Sequence, residues 1–136
     1  MKNMLQIMLN EAKKAYKMGE VPIGCIIIRN NKVIAKAHNI KQKTHLPFNH
    51  AEIIAIRKAT KKVKDWRLDD CDLYVTLEPC NMCKEIIKES RIKNVYYLLE
   101  SKYANNSMPI KTKKIYNDDL ENEYNHLLKS FFSVKR

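Results

Sequence analysis

Apolar residues recur at helical spacing along the N-terminal stretch, where Met4, Met8, Ala12, Ala15 and Tyr16 share one face. Leu5 and Leu9 widen that stripe, and Gly19 is a natural stop. The period then changes. Ile23 to Ile28 and Val33 to Ala37 are short runs rich in β-branched or small apolar residues, separated by Arg29-Asn30-Asn31-Lys32. Two Asn tolerate the positive φ of a hairpin, so strand, tight turn and strand are predicted. Asn39 to Asn49 reads as a polar loop broken by Pro47. A helix is predicted from His50 to about Val63, with Ala51, Ala55 and Ala59 on a close-packing face and Ile54 beside it. Leu73 to Leu77 predicts a third strand, Cys80 to about Ser90 a helix burying Ile86 and Ile87, and Val95 to Leu99 a fourth strand. Lys111 to Tyr116 leaves room for a short last strand. Asp118 and Asp119 stand where an N-cap is needed, with Glu121 three residues after Asp118. Leu120, Tyr124, Leu127, Leu128 and Phe131 then mark a packed helical face.

Strands alternating with helices predict a three-layer α/β/α domain, although periodicity does not set the strand order. At 136 residues and 45% hydrophobic content, a single domain spanning 1–136 is expected. No apolar run approaches the roughly 20 residues of a membrane helix, and Met1-Lys2-Asn3 leads into an amphipathic stretch, so a cytoplasmic chain away from membranes is expected. Cys25 sits in an apolar run and Cys71 just before another, so both read as reduced core or boundary residues. The net charge of +11 suggests an anionic partner such as nucleic acid. Because 21 of the 26 basic residues are Lys, in a chain also rich in Asn and Ile, compositional habit shares the explanation. Lys58, Lys61, Lys62 and Lys64 read as a solvated helix end, and Trp66 as a buried anchor rather than a base platform. Phe48 reads equally as a stacking surface or a loop anchor.

His50, Cys80 and Cys83 are the ligand types that suit zinc, and three protein ligands leave a fourth tetrahedral position for water. Cys80 and Cys83 fall about 60° apart on a helix, so both sulfurs can reach one ion from a first turn. Pro79 supports a helix start there, and the amide groups of that turn favour thiolates. His50 and Glu52 would be about 200° apart within a regular helix. His50 is therefore expected at or just before the helix start, and Glu52 within its first turn as an uncoordinated carboxylate able to move protons. A competing arrangement, in which Cys25 or Cys71 closes the fourth position, leaves Glu52 without a role.

His-Ala-Glu followed thirty positions later by Pro-Cys-x-x-Cys resembles the zinc-dependent cytidine deaminase superfamily. Glu20-Val21-Pro22-Ile23-Gly24, the stretch from His50 to Arg57 and the stretch from Leu73 to Cys80 are similar to the bacterial tRNA adenosine deaminases within it. The resemblance implies a five-stranded mixed sheet with helices on both faces, a homodimer and one Zn²⁺ per chain held by His50, Cys80 and Cys83. It also implies hydrolytic deamination of adenosine to inosine at the wobble position of a tRNA anticodon loop, with Glu52 shuttling protons. Asn39 matches a position that reaches the target nucleotide, and capping of a strand end is an equal reading from the residues alone. Ile23 is a further implied substrate contact, and backbone N–H groups near Ala51 and Cys80 are placed to orient base and water. The closing Leu127 to Arg136 resembles the family's Leu-Leu-x-x-Phe-Phe ending with a basic tail, making Phe132 and Arg136 candidate RNA contacts and Phe131 core.

Glu100 to Ile110 departs from those relatives: it lacks glycine and is shorter by roughly one small helix. Asn105 and Asn106 can supply the tight turns that Gly would have made. Because this region helps hold the anticodon loop in the family, the departure bears on substrate more than on chemistry. A deaminase of a free nucleobase or nucleoside (cytosine, cytidine or guanine) and a non-catalytic zinc module that binds RNA are the two competing functions.

Overall fold

A computed structural model describes residues 1–102 and 110–134, apart from the side chain of Val134. The expectations for Asn105, Asn106 and Arg136 lie outside the described residues. The chain runs α1 (Lys2–Lys17), β1 (Gly24–Arg29), β2 (Lys32–His38), α2 (Lys41–Thr44), α3 (Ala51–Val63), β3 (Cys71–Leu77), α4 (Asn81–Glu89), β4 (Asn94–Leu99), β5 (Thr112–Lys114) and α5 (Asp118–Val134).

The sheet order is β2-β1-β3-β4-β5. β1 pairs antiparallel with β2 and β3, whereas β3, β4 and β5 run parallel, giving the mixed sheet that the resemblance implied. Period two divides the strands cleanly. Cys25, Ile27, Leu73, Val75 and Val95 face a core completed by α3 and α4, and Ile26, Ile28, Tyr74 and Leu98 face a second core closed by α1 and α5. Asn30 and Asn31 both adopt positive φ (51° and 62°), as the hairpin requires. Gly24 admits no side chain, since a Cβ there would lie 2.1 Å from Met8 O and 2.6 Å from Ala12 N. That contact seats α1 directly on β1.

Four expectations are corrected. Residues 41–44 form a helical turn within the predicted loop. Cys80 is the N-cap of α4 with extended backbone (φ −72°, ψ 170°), so the helix starts one residue later than predicted. α5 is capped by Asn117, whose Oδ1 accepts from Leu120 N at 3.1 Å, and Asp118, Asp119 and Glu121 occupy the first turn instead, where they complement the helix dipole. Trp66 is 57% exposed, with the guanidinium carbons of Arg67 and Arg91 5.6 and 5.4 Å from its ring centroid. The buried anchor is Leu68, whose N–H donates to Ser90 O at 2.8 Å and ties the α3–β3 and α4–β4 connections together.

Beneath α1, Glu11 is buried with His38 Nδ1 3.0 Å from one carboxylate oxygen and Lys14 Nζ 2.7 Å from the other. Burial raises this carboxyl, but the hydrogen bonds to His38 and Lys14 outweigh it and bring it from 4.5 down to about 2. A depressed carboxylate stabilises the fold fully above the unfolded value of about 4.5, and that contribution is lost as pH falls towards 2. Glu11→Gln is therefore expected to flatten the dependence of unfolding free energy on pH between those limits, measured by urea titration at several pH values.

Candidate active site and metal centre

The parallel strand β3 delivers the chain at its carboxyl end through Glu78-Pro79 to Cys80, and α4 begins at once. Active sites of open α/β sheets favour this position. The start of α3 lies on the same side of the sheet. His50 is its N-cap with extended backbone (φ −76°, ψ 154°), and Glu52 sits in its first turn. Two helix N-termini thus converge, from segments thirty residues apart.

His50 Nδ1 lies 3.8 Å from Cys80 Sγ and 3.5 Å from Cys83 Sγ, and the three ligand atoms lie within 4.8 Å of one another. Tetrahedral zinc, with Zn–S near 2.3 Å and Zn–N near 2.0–2.1 Å, sets sulfur and nitrogen about 3.6 Å apart. The donor set therefore fits one zinc ion in both chemistry and spacing. Among the described residues, neither Cys25 nor Cys71 joins this group, so neither closes it. Both remain buried free thiols. Cys83 is fully buried whereas Cys80 stands at the surface.

The thiols divide their titration. A hydrogen bond from Cys83 holds Cys80 down to about 3, and His50 adds to the effect. The same contact, together with burial, drives Cys83 far above the usual thiol range. His50 is raised, chiefly by its hydrogen bond with Cys80. Glu52 is 3% exposed, and burial pushes its carboxyl up to about 7. Its Oε1 is buried and meets no hydrogen-bond donor among the described residues. A buried acceptor without a partner costs roughly 1–3 kcal/mol, a cost that is characteristic of groups kept for chemistry.

The residues expected to touch substrate fall in different places, and the two cavities that Asn39 and Phe132 line include none of His50, Glu52, Cys80 and Cys83. Asn39 is buried, and its Oδ1 accepts from Ala51 N at 2.8 Å. This bond engages the Ala51 amide and fixes which end of the Asn39 side chain is bound to α3. Asn39 also lines a cavity of about 560 Å³ with Val21, Lys41, Gln42 and Phe131. Ile23 is half-buried and packs against the core under α3. Phe131 is buried, whereas Phe132 is 52% exposed and lines a second cavity of about 700 Å³ together with Leu77, Leu99, Lys102 and Lys129.

Several supporting groups were missed from sequence. Thr76 Oγ1 accepts from Gly24 N at 3.1 Å, and the buried Tyr124 hydroxyl donates to Pro22 O at 2.8 Å. They hold the Glu20-to-Gly24 segment between the two cores. Asn49 is buried and donates to Thr44 Oγ1 at 2.8 Å. Tyr124 had been read only as packing, because helical periodicity is blind to a hydroxyl at its tip.

The chain belongs to the family described as the cytidine and deoxycytidylate deaminase zinc-binding region, which matches residues 1–99. Its relatives narrow that class. It is 44% identical over 93 residues to a tRNA-specific adenosine deaminase of Aquifex aeolicus, a match covering 68% of this chain and 62% of that protein. It is 36% identical to the corresponding protein of Rickettsia typhi, across 94% of this chain and 95% of the relative. A solved structure from studies of A-to-I editing by tRNA:A34 deaminases at the wobble position of transfer RNA superposes with a TM-score of 0.76 at 31% identity, covering 83% of this chain and 95% of that one. The match to the Aquifex protein thus spans under two thirds of its length.

Proposed function

We propose that this protein is a zinc-dependent hydrolase that converts adenosine to inosine at the wobble position of a tRNA anticodon loop. The observation that carries the reading is a metal-ligand group of His50, Cys80 and Cys83 beside the buried carboxyl of Glu52, whose Oε1 meets no donor among the described residues. The relatives' shared name supports the substrate. When held by those three residues, zinc lowers the pKa of a water to roughly 7 and so supplies the nucleophile. Glu52 accepts a proton from the water that attacks C6 and delivers it to ring N1. It then carries a second proton to the departing amine, so that water and adenosine become inosine and ammonia. Asn39 and Ile23 flank the base; the Ala51 amide, expected from sequence to orient it, is instead taken by Asn39 Oδ1, which leaves that task to the amide near Cys80 at the start of α4.

The 52% exposed Phe132 is a stacking surface for an unpaired base, and Arg136 extends the basic tail. Phe132→Ala is expected to weaken binding of an anticodon stem-loop about tenfold, within the roughly 1–3 kcal/mol of base–aromatic stacking. Zinc content should not change, and fluorescence anisotropy with metal analysis checks both.

The direct test is to sequence the organism's tRNA with and without this protein. Adenosine replacing inosine at the first anticodon position when the protein is absent supports the reading, and unchanged inosine sinks it. One observation favours a free base or nucleoside instead: the segment from Glu100 to Ile110 lacks glycine. Ammonia release from a stem-loop, set against a panel of free bases, decides between the substrates. A homodimer is part of the proposal and is tested by sedimentation. Cytoplasmic placement is proposed from the free thiols and the substrate; among the described residues no helix is long and apolar enough to cross a membrane.

A further inference from the structure

Glu20 is 1% exposed, and both of its carboxylate oxygens are used. One accepts from Gln42 N at 2.9 Å and the other from Lys43 N at 2.8 Å, the amides of the first turn of α2. α2 has four residues and no side-chain cap of its own, so it is too short to be stable in isolation. Its ends are tied as well: Ile40 N donates to Asn49 O at 3.2 Å, and Asn39 holds Ala51. Between those ties stand the exposed Lys41, Lys43, Leu46 and Phe48, a mixture of cationic and apolar side chains suited to phosphates and bases. Glu20, Asn39, Lys41 and Gln42 also share the cavity of about 560 Å³.

We infer that Glu20 is a positioning residue: from the α1–β1 connection it clamps the β2–α3 connection into the shape that receives the nucleic-acid substrate, touching neither substrate nor metal. This rests on the RNA-deaminase reading above. A carboxylate suits the task because two amide donors require two acceptors, and a charged acceptor strengthens both bonds. Glu20→Gln replaces one acceptor with an NH₂ group that opposes an amide N–H.

Three measurements test the clamp. In the wild-type protein the amides of Gln42 and Lys43 should be protected from hydrogen exchange, although both residues are exposed and lie in a four-residue helix. In Glu20→Gln their exchange should accelerate about tenfold, consistent with loss of one or two charge-assisted bonds. The dissociation constant and KM for an anticodon stem-loop should rise about tenfold, with kcat at saturation and zinc content held within about twofold, the signature of lost ground-state binding. Glu20→Asp, which keeps two acceptors on a shorter stem, should recover part of the affinity. Unprotected amides in the wild type overturn the clamp without any variant. Faster exchange with unchanged RNA affinity makes Glu20 merely structural, and loss of zinc or of kcat places its effect at the metal centre; either result overturns the inference. A wild-type protein that binds the stem-loop without deaminating it refutes the catalytic reading and leaves the Glu20 comparison standing on binding. One that does not bind it refutes both.

Discussion

Glu52→Ala is expected to abolish useful turnover while leaving zinc bound. General acid–base help is typically worth roughly 10²–10⁴-fold, and here one carboxyl is asked to act in both directions. The geometry separates this effect from loss of the metal. Glu52 is not one of the three residues, His50, Cys80 and Cys83, whose ligand atoms converge. Its burial is costly, and Oε1 meets no donor among the described residues. Metal analysis should return about one zinc per chain in wild type and variant, with a melting temperature within a few degrees. Ammonia release from the stem-loop should fall to background. Near-normal turnover in this variant would end the proton-shuttle mechanism, and loss of zinc along with turnover would move Glu52 into the metal's own support. Retained RNA binding with unchanged function would favour the non-catalytic zinc module.

The parts of this site legible in the sequence are those set by local geometry. Two residues at i and i+2 do not share a face of a helix, which is why His50 lies at the cap and Glu52 within the turn. The strand that ends at Leu77, followed through Glu78-Pro79 by two Cys three apart, likewise announces a strand-to-helix junction with two sulfurs at it. What was illegible is set by distance along the chain. Periodicity gave no sign that Glu20 would satisfy the amides of residues 42 and 43, and so the loop's helical turn was unforeseen. Asn39 offered two readings of equal standing because its donor partner, Ala51 N, lies twelve positions away and becomes visible only when α3 is placed. Trp66 was misjudged because a large apolar side chain usually points inwards. Leu68, two residues later in the connection between α3 and β3, takes that place and leaves the indole to two guanidinium groups.

Removing the metal should inactivate the protein without unfolding it, and Cys83→Ser should reproduce that state more completely than Cys80→Ser. The two cores bury α1, α3, α4 and α5 against strands β1 to β4, a supply of apolar contact that small zinc-dependent folds lack, so the chain retains its sheet when stripped. It nevertheless loses the binding free energy that zinc adds to the native state, about 2.7 kcal/mol at a free concentration one hundred times the dissociation constant. For a chain of this size each kcal/mol is worth about 3–5 °C, so a strong chelator should lower the melting temperature by about 10 °C. Added zinc should restore both melting temperature and turnover. Cys83 is the more sensitive ligand because its sulfur is fully buried at the third position of α4, where solvent cannot substitute for it. Cys80 is at the surface, so a water can take its place with partial retention of metal. Calorimetry and metal analysis on the stripped protein and both variants measure these differences. Complete unfolding on chelation would make the ion structural rather than catalytic, and undiminished turnover without it would remove the metal from the chemistry altogether.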